Sequence, residues 1–509
     1  MEIRELVLAQ RRHFETGVTR PVEFRRDALK LLRDGVLRHE AKLEAALWTD
    51  LGKPVYESYM TEIGIVLEEI RRHLAHLSGW ARPRFCPAPA AHFPAVCRVE
   101  PEPFGVALIM APWNYPVQLC LLPLIGAISA GCCAVIKPSA YAPAASAAMA
   151  ELIRNLFPPE YVAVVEGGRA ENGALLEEKF DRIFFTGSVA VGKVVMTAAS
   201  RNLTPVILEL GGKSPVIVDE TADVRTAARR VAFGKVVNAG QTCVAPDYVL
   251  VQESRLELFL DGYRKALAEF FPCGDYSAMP KIVNDRHFQR LEGLMKSGRI
   301  VQGGRTDAAR RRILPTVLVD VSPEDPVMQE EIFGPILPVL TYGSLGEAID
   351  FIRARPRPLA LYLFTKSAEN RRRVFDSCSF GGGCVNDTLV HVCVGDLPFG
   401  GVGDSGMGCY HGKASYDAFT HERSVLCRGN RPDLRVRYHP YGDRKLALVK
   451  KLMKYGTEER PVGQKSEAGA TVRSCLLRSA AEDRRKGVSL PGAPGRRSRC
   501  NGRRGFPDP

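Results

Sequence analysis

The sequence lacks the features of a disulfide scaffold, a zinc protein or a membrane-spanning protein. Its 14 cysteines are scattered, with no CxxC pair and no Cys/His pattern of metal-ligand spacing, so we expect no metal site. Cys132 and Cys133 are adjacent in an apolar run, which favours buried thiols and a reducing cytosol. No stretch approaches the roughly 20 apolar residues of a transmembrane helix. The first residues, MEIRELVLAQRRHFE, lack an apolar core, so we expect no secretory signal.

Excess charge is also absent from most of the chain, although the whole sequence carries +13. Residues 428–456 carry +7 and residues 457–509 carry +6, so the chain up to Cys427 is neutral. Residues 1–427 are therefore not expected to carry a basic surface that could bind the phosphate backbone of a nucleic acid. We expect no specific nucleic-acid partner. Residues 457–509 are poor in aromatics and rich in Gly, Pro, Ser and Arg, a composition typical of disorder.

The hydrophobic pattern predicts an α/β protein. Apolar residues at helical spacing indicate helices in the first eighty or so residues, and dense prolines at 83–103 indicate an extended arm or hairpin. From Gly105 onward, short apolar strands alternate with helical segments, which predicts βαβ units and a parallel sheet. A second alternating region at about 214–394 predicts another α/β domain. Ligands on such sheets bind at the carboxyl ends of strands, where the motifs described next occur.

Three short motifs carry residues that could act together on an acyl group. AGQTCVAPDY places Cys243 after a Gly-containing turn, although a single cysteine is usually a buried apolar residue. LELGGKSP places Glu209 at a strand end, where an isolated glutamate is usually a cap or an ion-pair partner. APWNYP places Asn114 in a Pro-bounded turn, where it is most simply a turn residue. Together they supply a nucleophile, a base and an oxyanion donor.

With four further motifs, these segments resemble the aldehyde dehydrogenase superfamily, most closely its class 3 branch. The resemblance runs from about residue 3 to 455 and rests on APWNYP, KPS, FTGS, LELGGKSP, GQTCVAPDY, EEIFGP and PFGGVGDSGMG, in that order. It implies oxidation of an aldehyde to a carboxylate, with Cys243 attacking the carbonyl as a thiolate. The Cys243 backbone N–H and the Asn114 amide would hold the oxyanion, and Glu209 would activate the water that hydrolyses the thioester. We expect burial to raise the pKa of Glu209.

The same resemblance implies NAD or NADP as the cofactor. Gly187, Ser188 and Gly192 form a GSxxxG turn in FTGSVAVG, and they match the turn that approaches the pyrophosphate at a helix N-terminus. Such turns also serve plain packing. Lys137 in KPS matches the lysine that binds the adenosine ribose, although its position also suits a solvated strand end.

Glu331 and Phe333 in EEIFGP match the residues that hold the nicotinamide ribose and ring. One position departs from the family pattern. The family usually has KPSE, whose glutamate binds the adenosine ribose hydroxyls, and here that residue is Ala140. Losing the carboxylate removes an attraction for the 2′-hydroxyl and a repulsion against a 2′-phosphate, so we hypothesise that NADP is accepted.

The resemblance also implies the architecture: a Rossmann-like NAD-binding domain, an α/β catalytic domain and a small β oligomerisation arm. The expected boundaries are 1–82 and 104–208 for the NAD(P)-binding domain, 209–394 for the catalytic domain, and 83–103 and 412–436 for the arm. Arms of this kind add strands to a neighbouring subunit, which implies a homodimer. Class 3 relatives take medium- and long-chain aliphatic or aromatic aldehydes, and we expect a cytoplasmic location.

The segment 437–456 reads as a basic amphipathic helix. Leu446, Val449, Leu452 and Met453 recur at helical spacing among lysines. One interpretation is a surface helix docked on the protein. The other is a helix whose residues 444–455 contact anionic lipid as a peripheral membrane element. Some class 3 relatives associate with membranes through their C-termini, which supports the second interpretation.

Three other functions compete with the dehydrogenase. An acylating semialdehyde dehydrogenase shares the fold and the cysteine but releases its thioester to a thiol or phosphate. A reductase of acyl phosphates would, like it, have no use for a hydrolytic base. The presence of Glu209 favours hydrolysis over both. A catalytically silent scaffold on the same fold need keep neither Glu209 nor Cys243 nor Asn114, so their joint presence favours an enzyme.

Overall fold

The computed structural model of the chain describes residues 2–89, 92, 94–431, 433 and 435–454. These residues fall into two compact units. The first comprises the described residues of 2–87 and 96–427, and the second comprises those of 88–95 and 428–454. The segment 457–509, expected to be disordered, lies outside the described residues.

Helices and strands alternate along most of the chain. The helices are α1 (Ile3–Glu15), α2 (Val22–Leu51), α3 (Val55–Ser58), α4 (Gly64–Trp80), α5 (Gln118–Ala130), α6 (Pro143–Leu156), α7 (Arg169–Glu177), α8 (Val189–Ser200), α9 (Val224–Val236), α10 (Leu256–Phe270), α11 (Asp285–Leu294), α12 (Pro326–Gln329), α13 (Leu345–Arg353), α14 (Ala368–Ser377), α15 (Lys413–Ala418) and α16 (Asp443–Lys454). The strands are β1 (Arg84–Cys86), β2 (Ala95–Pro103), β3 (Val106–Met110), β4 (Cys133–Lys137), β5 (Val162–Val164), β6 (Arg182–Thr186), β7 (Val206–Glu209), β8 (Pro215–Val218), β9 (Tyr248–Gln252), β10 (Arg299–Gln302), β11 (Thr306–Asp307), β12 (Arg312–Ile313), β13 (Thr316–Val319), β14 (Ile336–Tyr342), β15 (Ala360–Phe364), β16 (Gly382–Val385), β17 (Gly406–Met407) and β18 (Thr420–Arg428).

The first large sheet has six strands in the order β17-β7-β6-β3-β4-β5. All neighbouring strands run parallel except β17, which is antiparallel to β7. Every residue of β3 and β4 is buried, as expected for strands of a parallel sheet that helices cover on both faces. The predicted α/β class is confirmed.

The second large sheet has seven strands in the order β10-β13-β14-β9-β8-β15-β16. Only β10 runs antiparallel to its neighbour. Strands β7 and β8 are consecutive in the chain but belong to different sheets. The chain therefore passes from one sheet to the other between Glu209 and Pro215, through the paired glycines Gly211 and Gly212.

A third sheet contains β1, β2 and β18, in that order. It includes the Pro-rich segment that the sequence indicated as an arm or hairpin. The second expected arm segment opens with a helix, because residues 413–418 form α15, which packs on α5. The strand begins only at Thr420. Within the segment 437–456, the basic helix α16 begins at Asp443. A short 3₁₀ turn at Arg435–Arg437 precedes it.

The six-stranded sheet reverses its strand order at β3. The chain runs outward from β3 through β4 to β5, and then returns to place β6 and β7 on the other side of β3. Ligands of doubly wound sheets bind beyond the carboxyl ends of the strands at such a switch point. Asn114 follows β3, Lys137 ends β4, Gly187 follows β6 and Glu209 ends β7.

Helix α5 approaches α15 so closely that a side chain at Gly126 does not fit. A Cβ atom there would lie 2.7 Å from the backbone oxygen of Ser415. We expect Gly126→Ala to lower the free energy of unfolding by about 1–3 kcal/mol in urea titrations. Gly173→Ala is the matched control, because this exposed helical glycine has open space around its Cβ and alanine should stabilise it by up to about 1 kcal/mol. Equal stabilisation by both substitutions would contradict the close packing.

Candidate active site

Cys243 follows a turn with an unusual backbone conformation. Asn238, Ala239 and Gly240 all have positive φ, at 49°, 53° and 71°. Side-chain hydrogen bonds hold this turn: the Gln241 amide donates to the Asn238 carbonyl at 3.0 Å, and its oxygen accepts from the Val283 N–H at 3.1 Å. Non-glycine residues adopt this conformation only where their surroundings fix it, and such positions cluster at functional sites.

Asn114 is joined directly to this turn. The Asn114 side-chain amide donates to the Gln241 backbone carbonyl at 3.0 Å. The Asn114 backbone carbonyl accepts from the Asn238 side-chain amide at 2.8 Å. The side chain is 2% exposed. An amide nitrogen has two hydrogens, and the bond to Gln241 uses one of them. The structure thus brings Asn114 beside the Cys243 segment with one N–H left to donate.

A buried ion pair forms hydrogen bonds with backbone groups of the loop that carries Asn114. The Lys53 ammonium lies 2.5 Å from the Glu62 carboxylate, and both side chains are fully buried. Lys53 also donates to the Asn114 carbonyl at 3.3 Å. The other Glu62 oxygen accepts from the backbone N–H groups of Val117 and Gln118, at 2.8 and 3.2 Å, where α5 begins. The pair therefore satisfies backbone groups on both sides of the turn that carries Asn114.

Neither Lys53 nor Glu62 belongs to any of the motifs recognised in the sequence. A signal was nevertheless present, because Glu62, Glu69 and His73 recur at the same helical spacing as Val66 and Ile70. All five are buried. Charged residues in register with an apolar stripe indicate buried polar contacts rather than a solvated face.

Glu209 ends β7 and is 2% exposed. Neither of its carboxylate oxygens has a hydrogen-bond partner among the described protein groups. Burial raises the pKa of Glu209 well above the usual value, as the sequence analysis expected. Burial also raises the pKa of the Cys243 thiol, and the nearby carboxylates of Glu331 and Glu209 raise it further. These three groups are thus close enough for the charge on one to affect the protonation of another.

The turn after β6 is closely packed and leads into the N-terminus of α8. Ser188 caps α8 by accepting from the Val191 N–H at 3.4 Å. A Cβ at Gly187 would come within 2.6 Å of the Phe185 ring, and one at Gly192 within 2.7 Å of the Leu210 side chain. Larger residues at Gly187 and Gly192 would therefore disturb this packing. Helix N-termini in general suit an anion such as a pyrophosphate, because their first N–H groups lack partners within the helix.

Lys137 lies at the carboxyl end of the adjacent strand, β4. Its ammonium donates to the Pro138 carbonyl at 2.8 Å and to the Gly167 carbonyl at 2.7 Å. Burial lowers the pKa of Lys137. The side chain is therefore fixed in position, which the alternative of a solvated strand end would not require.

The EEIFGP segment lies against the chain that connects the two sheets. Glu331 packs so closely on Gly211 that a Cβ there would come within 2.0 Å of the carboxylate. Burial raises the pKa of Glu331 to about 8 and the Asp247 charge adds to this, while one carboxylate oxygen is buried without a partner. Phe333 has φ of 52°, and its ring meets Trp113 edge-on at 5.3 Å. An orphaned carboxylate oxygen beside an aromatic pair fits the ribose and ring of a nicotinamide nucleotide.

A cavity of about 310 Å³ opens onto Cys243. Its lining is mostly apolar and includes Leu119, Val237, Val244, Leu389, Val392 and Phe399. A cavity of this size and lining suits an aliphatic or aromatic group whose reactive end reaches the thiol.

Metal-binding clusters and membrane-spanning helices are both absent from the described residues. In that part of the chain, no group of three or more His, Cys, Asp or Glu side chains is arranged to hold a metal ion. Over the same residues, none of the helices combines the length and the apolar character needed to span a membrane.

A thiol therefore borders an apolar cavity near the carboxyl ends of the strands of a doubly wound sheet, an arrangement that fits an oxidoreductase. The aldehyde dehydrogenase family model matches residues 1–425, and the chain belongs to that family. Its reaction is the oxidation of aldehydes to carboxylates with NAD or NADP.

Individual relatives agree with this assignment. The chain is 48% identical to 4,4'-diaponeurosporen-aldehyde dehydrogenase of Staphylococcus aureus over 84% of this chain and 94% of that protein. It is 44% identical to the dog aldehyde dehydrogenase described as dimeric and NADP-preferring, over 86% of this chain and 98% of that protein. The solved structure of S. aureus AldH in a substrate-bound state superposes with a TM-score of 0.87 at 46% identity, covering 89% of this chain and all of that chain. The expected aldehyde dehydrogenase fold and class 3 relationship are confirmed.

Proposed function

We propose that the chain oxidises medium- and long-chain aliphatic or aromatic aldehydes through a thioester on Cys243. The apolar cavity that ends at this thiol is the observation that carries the proposal. Burying an alkyl chain there contributes about 0.8 kcal/mol for each methylene removed from water. The aldehyde carbon would then lie at the sulfur.

In this mechanism Cys243 attacks the aldehyde carbonyl as a thiolate. The Cys243 backbone N–H and the free N–H of the Asn114 amide hold the resulting oxyanion, and such donors contribute about 3–4 kcal/mol each. The connection of Asn114 to Gln241 and Asn238 fixes the direction of this donor before substrate arrives. When bound, the nicotinamide accepts the hydride that leaves the substrate carbon.

Glu209 then takes a proton from the water that hydrolyses the thioester. A base must be ionised to accept a proton, and burial raises the pKa of Glu209. Hydrolysis is therefore slow at low pH, where Glu209 is protonated, and accelerates as the pH rises toward the raised pKa.

The same proposal assigns the groups that hold the cofactor. Gly187, Ser188 and Gly192 would approach the pyrophosphate at the start of α8, and Lys137 the adenosine ribose. Glu331 and Phe333 would hold the nicotinamide ribose and ring, since an unpartnered carboxylate oxygen and an aromatic face are both present there.

The first test separates the two chemical steps. We expect Cys243→Ala to abolish formation of reduced nicotinamide from hexanal or benzaldehyde with NAD or NADP. Glu209→Gln should retain a single rapid turnover in stopped-flow absorbance and lose steady-state rate by about 100-fold or more, because the thioester forms but is not hydrolysed. Cys273→Ser is the control, an exposed cysteine that does not line the cavity. Full steady-state activity in either active-site variant would disprove the proposed roles.

We further propose that Ala140 permits use of NADP. The residue is exposed and follows the Lys137 strand end. Ala140→Glu should raise the ratio of NAD to NADP specificity (kcat/KM) by about tenfold or more, because a carboxylate binds the 2′-hydroxyl and repels a 2′-phosphate. Ala140→Gln controls for side-chain size without charge. An unchanged ratio in Ala140→Glu, or no NADP turnover in the unsubstituted protein, would contradict the role of this position.

We also propose the three-domain division expected from the resemblance, and a homodimer formed through the small sheet. Two edge strands support this assembly. β18 is one of the two outer strands of the small sheet, and β16 is one of the two outer strands of the seven-stranded sheet. Exposed edges present unpaired backbone groups to which a neighbouring subunit can add a strand. The dog relative is named as dimeric.

Finally, we propose that the protein is cytoplasmic and binds anionic membranes peripherally through α16. The helix carries exposed Leu446, Leu448 and Met453 beside several lysines. The alternative is a helix that serves only as packing on the protein. Membrane affinity grows with buried apolar area and with attraction between lysines and anionic lipid.

Vesicle flotation tests this helix. We expect binding to vesicles that contain phosphatidylserine and little binding to phosphatidylcholine alone. Replacing Lys450→Glu and Lys451→Glu together should weaken binding by about tenfold or more, since each basic residue near the surface contributes about 1 kcal/mol. Arg372→Glu with Arg373→Glu makes the same charge change on exposed α14 and should leave binding nearly intact. Equal losses in both double variants would show non-specific attraction instead.

A further inference from the structure

Two cysteines face each other across the antiparallel pair β1 and β2. The register pairs Arg84 with Val99, Phe85 with Arg98, and Cys86 with Cys97. Both thiols are free and half-buried. Each lies on a strand of the small sheet, so neither belongs to the candidate active site.

This register satisfies the spacing of a disulfide. Residues directly opposite each other in an antiparallel pair have Cα atoms about 4.5 or 5.5 Å apart, depending on their hydrogen bonding. Disulfide-bonded cysteines have Cα atoms about 4.4–6.8 Å apart, so both arrangements fall within the range. Directly opposite side chains also point to the same face of the sheet. The two sulfur atoms therefore need only rotamer changes and a small approach of the strands.

The other cysteines of the first unit lack this placement. Cys120, Cys132 and Cys133 are fully buried, where a small oxidant cannot reach them. Cys427 lies on β18, on the other side of β2, and is exposed. It is therefore the neighbour that an experiment must distinguish from Cys86.

We propose that Cys86 and Cys97 form a reversible cross-strand disulfide, and that this pair is a modification site for small disulfides such as glutathione disulfide. One thiolate attacks the glutathione disulfide and releases one glutathione, giving a mixed disulfide. The second cysteine then attacks the sulfur of the first and releases the other glutathione. Two thiols of the protein are oxidised, one glutathione disulfide is reduced, and excess glutathione reverses both steps.

The bond would tie β1 to β2, the middle strand of the small sheet. It closes a short loop, and so restricts the separation of these two strands when the sheet opens. Nothing in this reaction involves the aldehyde chemistry. A test of this disulfide therefore does not depend on the roles proposed for Cys243 and Glu209.

Mass spectrometry tests the site directly. Trypsin releases one peptide, residues 85–98, that contains both cysteines. After equilibration of the whole protein with glutathione buffers and blocking with iodoacetamide, we expect this peptide to lack two hydrogens and to carry no alkyl group. The folded protein should form the bond at a glutathione disulfide level about tenfold lower than the free synthetic peptide, because the sheet holds the thiols together. Cys427→Ser should behave like the unsubstituted protein.

A register variant provides the matched control. Cys97→Val combined with Val99→Cys keeps both thiols on the same two strands but moves one of them opposite Arg84. Diagonal neighbours are about 7–8 Å apart, too far for a disulfide in the intact sheet. This variant should form the bond no more readily than the free peptide. The proposal is overturned if the unsubstituted protein keeps both cysteines alkylatable, retains bound glutathione at equilibrium, or forms the bond no more readily than the register variant.

Discussion

The hydrogen bonds between Asn114 and the Asn238–Gln241 turn connect the two large sheets at the thiol. Asn114 follows a strand of the six-stranded sheet, whereas Gln241 precedes a strand of the seven-stranded sheet. Their contacts run in both directions, since each side donates an amide N–H to a carbonyl of the other. Any movement of one sheet relative to the other would therefore change the distance between Asn114 and Cys243, the oxyanion donor and the nucleophile of the proposed reaction. The geometry of that proposed reaction depends on this junction.

The junction in turn depends on a buried charge pair. Taking an ammonium and a carboxylate out of water costs several kcal/mol for each ion, and the pair is tolerated only where further hydrogen bonds satisfy both groups. Lys53 and Glu62 meet this condition by bonding to the carbonyl of Asn114 and to the N–H groups of Val117 and Gln118. An apolar pair of similar volume could fill the space, but it could not fix these backbone groups. The free energy that the desolvation of Lys53 and Glu62 costs is thus offset by hydrogen bonds that fix the position of the loop carrying Asn114.

The sequence predicted the fold class and the neighbourhood of the candidate residues because both follow from local patterns. Alternating strands and helices predict a parallel sheet, and motifs at strand ends meet at one edge of it. The Lys53–Glu62 pair was missed because burial of a charge depends on tertiary contacts far along the chain. Helix α15, at the start of the second expected arm segment, was not predicted for a related reason. Residues 413–418 are six residues long, too short for a clear helical period, and their packing against Gly126 is visible only in three dimensions.

The clustering of acidic groups around Cys243 has a consequence for the order of the proposed steps. The charges of Glu209 and Glu331 raise the pKa of the thiol, so the site favours few negative charges at once. A thiolate is therefore formed most easily while these carboxylates are protonated, and in that state Glu209 cannot act as a base. Formation of the thioester removes the charge from sulfur, because a thioester is neutral. Ionisation of Glu209 then becomes easier, at the stage where hydrolysis requires a base. In the proposed order of steps, the electrostatic repulsion that makes the free thiol hard to ionise thus disfavours an ionised Glu209 until the acyl group is in place.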